Sequence, residues 1–271
     1  MISLAKGTAL VTGASSGIGA VYADRLAKRG YDLILVARNR ERLAHLAHRL
    51  KTETGRSVET FVADLADKED LTQVETRLRT DQRITLLINN AGLGATAPLL
   101  EADVDKMDAM IRLNVGALTR LTHAAAPGFV ARGGGTIINI ASIVAIAPER
   151  LNGVYGATKA FVLAFSQSLQ HELGDRGIRV QAVLPGATAT EFWDLSGRPL
   201  HQLPGAIVMS PEDLVDAALA GLDQGEVVTL PALADKALWD RFEASRRAMT
   251  ARLSNAVPAP RYNVVYSRPA A

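Results

Sequence analysis

Thr8-Ala9-Leu10-Val11-Thr12-Gly13-Ala14-Ser15-Ser16-Gly17-Ile18-Gly19 decides the reading of this chain: a short apolar run stops at a glycine, two more glycines follow, and an amphipathic pattern opens. An apolar run without alternation suits a strand buried on both faces, and the glycines mark a tight turn into a helix over about 17–29. In that strand-turn-helix context, backbone amides at the turn and the positive end of the helix can receive a pyrophosphate. Gly13, Ser15, Ser16, Gly17, Ile18 and Gly19 are the candidates for that site.

The alternation continues along the chain. Strand-like runs fall at 8–11, 33–36, 58–62, 86–88, 136–140, 180–184 and 227–230, and helical patterns at about 17–29, 40–54, 68–80, 103–131, 154–176, 211–223 and 235–253. Mostly apolar strands separated by helices predict an α/β, doubly wound, seven-stranded parallel sheet with helices on both faces. Such sheets bind ligands beyond the carboxyl ends of their strands. Gly13, Arg38, Asp64, Asn90, Ser142 and Pro185 each follow a strand-like run closely, so they are expected to gather there. Residues 1–254 read as one dinucleotide-binding domain, with a Gly/Pro-containing insertion at 187–209 of the length used for substrate lids, and 255–271 as a tail.

Bulk properties exclude several classes. The 271 residues carry 30 basic and 28 acidic side chains, a formal charge of +2, with no basic cluster interleaved with aromatics, which argues against nucleic acid as a partner. No cysteine is present, so disulfides, thiolate nucleophiles and zinc-thiolate sites are excluded. Met1-Ile2-Ser3-Leu4-Ala5-Lys6-Gly7 lacks the apolar core of a signal peptide, and no apolar run approaches the ~18 residues that span a bilayer. A cytoplasmic protein with no membrane partner is the expectation.

The end of the second strand-like run selects between dinucleotides. An acid there bonds a ribose 2′-hydroxyl, whereas an arginine accepts a 2′-phosphate. Leu35-Val36-Ala37-Arg38-Asn39-Arg40 has no acid, and Arg38 offers a guanidinium suited to phosphate, so NADP(H) is the expected cofactor. Asp64, followed by Leu65, can accept from an adenine amino group or cap the next helix. Asn89-Asn90-Ala91-Gly92 can bring backbone close to a ribose or form a turn held by asparagine side chains.

Tyr155 and Lys159 stand four apart in a helical pattern, so phenol and ammonium share a face. Together with the glycine-rich turn, Asn89-Asn90-Ala91-Gly92, Ser142 and Pro185-Gly186-Ala187-Thr188, this pair resembles the short-chain dehydrogenase/reductase family over about 6–230. The resemblance implies a Rossmann-type sheet and an oxidoreductase that interconverts a carbonyl and a secondary alcohol by hydride transfer. It implies Tyr155 as proton donor and acceptor, Lys159 tuning the phenol and bonding the nicotinamide ribose, Ser142 polarising the carbonyl, and Asn114 holding a water in a relay.

Pro185, Gly186 and Thr188 are expected against the nicotinamide, while Ile143, Val144, Phe192 and Trp193, with Leu93 and Leu195, suggest an apolar substrate pocket. Arg198 and His201 could meet a polar substrate group. Family members pair two long helices across subunits, and the small and apolar residues on 103–131 and 154–176 lead to the expectation of a homodimer or homotetramer. Epimerisation or dehydration with a retained cofactor, and nucleotide sensing without catalysis, are the alternative uses of this scaffold.

Overall fold

The computed structural model describes residues 6–264; residues 1–5 and 265–271 lie outside the described part, taking with them most of the N-terminal reading and the end of the expected tail. In chain order the elements are β1 (Thr8–Thr12), α1 (Gly17–Lys28), β2 (Asp32–Ala37), α2 (Arg40–Thr54), β3 (Val58–Val62), α3 (Lys68–Thr80), β4 (Ile84–Asn89) and α4 (Val104–Ile111). A π-helical turn (Arg112–Ala117), α5 (Leu118–Ala131), β5 (Gly135–Ile140), α6 (Gly153–Leu173), β6 (Ile178–Val183), β7 (Ala187–Thr188) and α7 (Phe192–Leu195) follow. The remainder is β8 (Val208–Met209), α8 (Pro211–Asp223), β9 (Val228–Thr229) and α9 (Lys236–Thr250). The chain divides into two compact units, Met1–Ala232 and Leu233–Ala271.

In the first unit seven strands pair in parallel in the order β3-β2-β1-β4-β5-β6-β9. Successive residues of a central strand enter different cores. Ala9 and Val11 of β1 pack with Leu26, Leu43 and Leu214 on one face, while Leu10 packs with Val74, Leu121 and Phe129 on the other. That double burial is why these strands read as continuous apolar runs. Edge strand β3 departs from the pattern, exposing Glu59 and Thr60, because nothing covers its outer side as a neighbour covers β1.

Helix starts are set by short polar side chains. Asn39 accepts from the Arg42 amide, Asp67 from those of Glu69 and Asp70, Asp103 from those of Asp105 and Lys106, and Asn152 from those of Val154 and Tyr155. Two expectations change. The helix expected over 103–131 is interrupted by the π-helical turn, which carries Asn114. Its amide oxygen accepts from Leu93 N at 2.8 Å and its nitrogen donates to Leu93 O at 2.9 Å and Thr158 Oγ1 at 3.1 Å, a set of partners inside the fold that sequence periodicity does not register. The insertion at 187–209 is folded: β7 and β8 pair in parallel across its base, and the Trp193 indole donates to Thr188 O at 2.9 Å.

The strand order reverses between β1 and β4, leaving a crevice at their carboxyl ends. Thr12 closes its floor. Its hydroxyl donates to Ile88 O at 3.0 Å and accepts from the Asn90 and Ala91 amides at 2.9 and 3.0 Å, while Asn90 Nδ2 donates to Thr12 O and Gly13 O. Gly13 has φ +64, and a Cβ on Gly19 would stand 2.3 Å from Gly13 O, so the turn and α1 meet only because both positions lack a side chain. In the second unit, Asp235 caps α9 by accepting from the Ala237 amide, and the Trp239 and Phe242 rings lie 5.3 Å apart on that helix.

Thr12→Val keeps the shape and removes the acceptor of two amides, so it should lower unfolding stability by about 2 kcal/mol. Urea denaturation would measure it; a loss near zero would show that the hydroxyl does not hold the two strand ends.

Candidate active site

A cavity of about 890 Å³ opens at the carboxyl ends of β1, β2, β4, β5 and β6. The site residues expected from the sequence line it, with the exceptions of Gly19, Asn89, Asn114 and His201. Gly19 lies beneath the turn and Asn114 behind Gly92, where a Cβ at 92 would come 3.1 Å from Asn114 Oδ1 and 3.7 Å from Lys159 Nζ. Gly92 therefore leaves the space between those two side chains open.

Tyr155 and Lys159 sit one turn apart near the start of α6, both buried, and Ser142 follows β5. The α6 entry is fixed by Asn152, itself 2% exposed, which caps the helix through its oxygen and donates from Nδ2 to Ala97 O at 2.7 Å. The end of β5 is tied to that of β6 by the Ile143 amide on Pro185 O at 2.9 Å, and Ser142 Oγ lies 3.4 Å from the same oxygen. Lys159 Nζ donates to Ile140 O at 2.8 Å and stands 5.8 Å from the centre of the Tyr155 ring.

Burial governs both titrations. It pushes the Lys159 ammonium down to about 8, because a charge held out of water is disfavoured. Burial also pushes the Tyr155 phenol up to about 12, with a hydrogen bond from Ser142 pulling the other way. Loss of hydration outweighs the Ser142 hydrogen bond. The phenol holds its proton firmly.

On the opposite side of the cavity, Arg38 is largely exposed, with its guanidinium 3.9 Å from Asp64 Oδ2. Asp64 accepts from the Ala66 amide at 2.9 Å, and α3 is capped by Asp67, so the helix-capping alternative for Asp64 does not hold. Asn90 turns its amide nitrogen onto the glycine turn, matching the alternative of a turn held by an asparagine side chain. Arg42, which the sequence reading passed over, also lines the cavity and pairs with Glu191 of the insertion at 2.6 Å.

Toward the insertion the lining is apolar. Phe192 lies 5.7 Å from the Tyr155 ring and meets Trp193 edge to face at 5.6 Å. Trp193 is buried and bonded to Thr188 O, so most of it packs the insertion rather than the opening. Thr96 donates to Ser196 O through both its amide and its hydroxyl, fastening the insertion to the β4–α4 loop. Arg198 lines the cavity and His201 does not. Arg150, Leu151, Leu203 and Ile207 line it without having been singled out, since only the fold brings them there. Asn152 was detectable, as an asparagine directly before a helical pattern.

The short chain dehydrogenase family model matches residues 7–198. The chain belongs to that family. Among solved structures it is similar to a short-chain dehydrogenase from Sphingobium yanoikuyae in complex with NADPH, at 50% identity and TM-score 0.91 over 94% of this chain and 100% of that one. It is also similar to a bulky-bulky ketone specific alcohol dehydrogenase from Comamonas testosteroni, at 45% identity and TM-score 0.88 over 96% and 99% of the two chains. A very-long-chain 3-oxoacyl-CoA reductase of Anas platyrhynchos is 36% identical over 218 residues, 78% of this chain and 67% of the relative. This member of the family is an oxidoreductase built on the Rossmann-type sheet. No helix among the described residues is long and apolar enough to cross a membrane.

The depressed Lys159 value has a consequence for stability. Between pH 8 and the ordinary lysine value near 10.5 the unfolded chain binds a proton that the folded chain has released, so this group makes stability rise with pH across that window. Lys159→Met should remove the rise. Unfolding free energies of both proteins at pH 7.5 and pH 10, without nucleotide, would show the difference; parallel changes would contradict the buried ammonium.

Proposed function

We propose that this oxidoreductase interconverts a carbonyl and a secondary alcohol with NADP(H). The observation that carries the reading is the convergence of Tyr155, Ser142 and Lys159 on one cavity whose far end holds the glycine turn and Arg38. The residues fit the cofactor by their chemistry: an open turn at Gly13 and Gly17, both at positive φ, ahead of the α1 amides, then Arg38 where a 2′-phosphate needs a cation, and no acid in β2 after Asp32. Asp64, Leu65, Asn90, Ala91 and Gly92 would border its adenosine half, and Pro185, Gly186 and Thr188 its nicotinamide half. When bound, NADPH would supply the hydride and, once oxidised, a positive charge.

The chain's own residues handle the proton. Ser142 donates a hydrogen bond to the carbonyl oxygen, polarising it, and Tyr155 gives its proton to that oxygen as the alkoxide develops. A phenol at about 12 keeps that proton until an acceptor of higher basicity forms beside it. Lys159, able to lose or regain a proton near neutrality, passes charge toward the Asn114 side through the space that Gly92 leaves open. Ile143, Val144 and Phe192 shape the apolar substrate side, with Trp193 packed behind it. The complete proton-donor set favours this reading over a nucleotide sensor.

We also propose a homodimer or homotetramer of a cytoplasmic protein. The outer face of α6 exposes Ala157, Phe161 and Ala164, and α4 exposes Val104 and Ile111, small and apolar surfaces suited to helix packing between copies. Light scattering at micromolar concentration should give at least twice the chain mass; a monomer would contradict it.

Tyr155→Phe should cut kcat by about 10³-fold while NADPH still binds by fluorescence titration, and Ser142→Ala should lower kcat by about 10²-fold with little change in cofactor affinity. Arg38→Ala should reduce the ratio of kcat/KM for NADPH over NADH by about tenfold or more. Turnover by Tyr155→Phe near that of the parent enzyme would overturn the mechanism.

A further inference from the structure

The charges around the cavity are unevenly matched. Its acidic lining residues are Asp64 and Glu191, and each already faces an arginine of the cofactor side, Arg38 at 3.9 Å and Arg42 at 2.6 Å. Arg150, from the turn preceding α6, and Arg198, from the insertion, line the opposite half together with Leu93, Val144, Leu151 and Phe192. Among the described residues neither has a carboxylate within 4 Å. The rim beside them carries Leu195 and Ile207, large apolar side chains that stand 80% and 58% exposed. An apolar wall with two uncompensated guanidinium groups attracts a molecule of opposite character at its two ends: an apolar body and an anion.

We propose that the carbonyl substrate carries an anionic group, such as a carboxylate, on an apolar framework, and that Arg150 and Arg198 receive that group while the carbonyl lies at Tyr155. The proposal rests on the carbonyl-reductase reading and adds the substrate class to it. An arginine accepts a carboxylate through paired N–H donors, a geometry that a neutral amide cannot match, so the two side chains would discriminate by charge. Their exposure keeps the interaction open to ionic strength. The two acids lining the cavity face Arg38 and Arg42 rather than these arginines.

The test compares matched ketones with the full chain at saturating NADPH: 4-oxo-4-phenylbutanoate and 6-oxo-6-phenylhexanoate, each against its methyl amide. The expected result is a kcat/KM about tenfold higher for at least one carboxylate than for its amide, expressed in KM and shrinking between 50 and 500 mM salt, both as order-of-magnitude choices. In the doubly substituted Arg150→Gln, Arg198→Gln protein the ratio of carboxylate to amide should fall to near one, with thermal unfolding checking that the variant is folded. Reduction of the amides as fast as the carboxylates would overturn the proposal and leave the reductase reading standing. A defect that appears in the KM for NADPH instead would overturn it too, assigning the arginines to the cofactor's phosphates. Failure to oxidise NADPH with any ketone would remove the reductase reading and this inference with it.

Discussion

The junction of β1 and β4 is the constraint on which the rest of the molecule depends. Connections from these two strands leave in opposite directions, so no crossover covers the gap between their ends, and the gap has to be held by side chains. Thr12 does so from one position by accepting two amides at the exit of β4 and donating to Ile88 O near that strand's end, and Asn90 answers from the other side. With both ends pinned, the glycine turn has one available path, and α1 can approach within a distance that leaves no room for a Cβ at Gly19. The cavity is a product of that arrangement.

The reactive end follows a different logic. Tyr155 and Lys159 are buried where water cannot stabilise a phenolate or an ammonium, so each is displaced from its ordinary behaviour by the same cause with opposite sign. No charged partner cancels the displacement: Lys159 is given a backbone carbonyl rather than a carboxylate, and Tyr155 a serine hydroxyl that opposes it only in part. A carboxylate partner would hold the lysine charged at all working pH values and fix the phenol's surroundings. The neutral partners leave both groups responsive to what enters the cavity, a property that a purely structural ion pair such as Arg77 with Asp81 lacks.

The parallel sheet was legible because burial on two faces writes itself directly into composition, as in Ala9-Leu10-Val11 and Leu33-Ile34-Leu35-Val36. The cavity residues that follow strands were legible for a related reason, since a sheet of this topology binds ligands at its strand ends, whereas Arg42, Arg150, Leu151, Leu203 and Ile207 reach the cavity from other segments and were not. Two other things escaped. The break in the helix over 103–131 arises from Asn114 bonding Leu93, a partner twenty-one residues earlier, and periodicity carries no trace of so distant a contact. Insertion 187–209 offered no regular pattern, yet it is ordered by two residue pairs between β7 and β8, one indole and the Thr96 bonds, each too short to leave a signal.

The two halves of the cavity are therefore specified by different parts of the chain and by different physics. Backbone conformation sets the cofactor side: glycines at positive φ and strand ends in register admit few substitutions. Side chains set the substrate side, carried on the turn before α6 and on an insertion fastened by a handful of contacts, where Leu195, Arg198, Leu203 and Ile207 face the opening without supporting the sheet. On the proposed reading, changing them would alter what the cavity accepts at little cost to the fold, whereas changing Gly13 or Thr12 would strike the fold first. On that reading, the body of the substrate would meet the turn before α6 and the insertion, where Arg150 and Arg198 line the cavity with apolar neighbours.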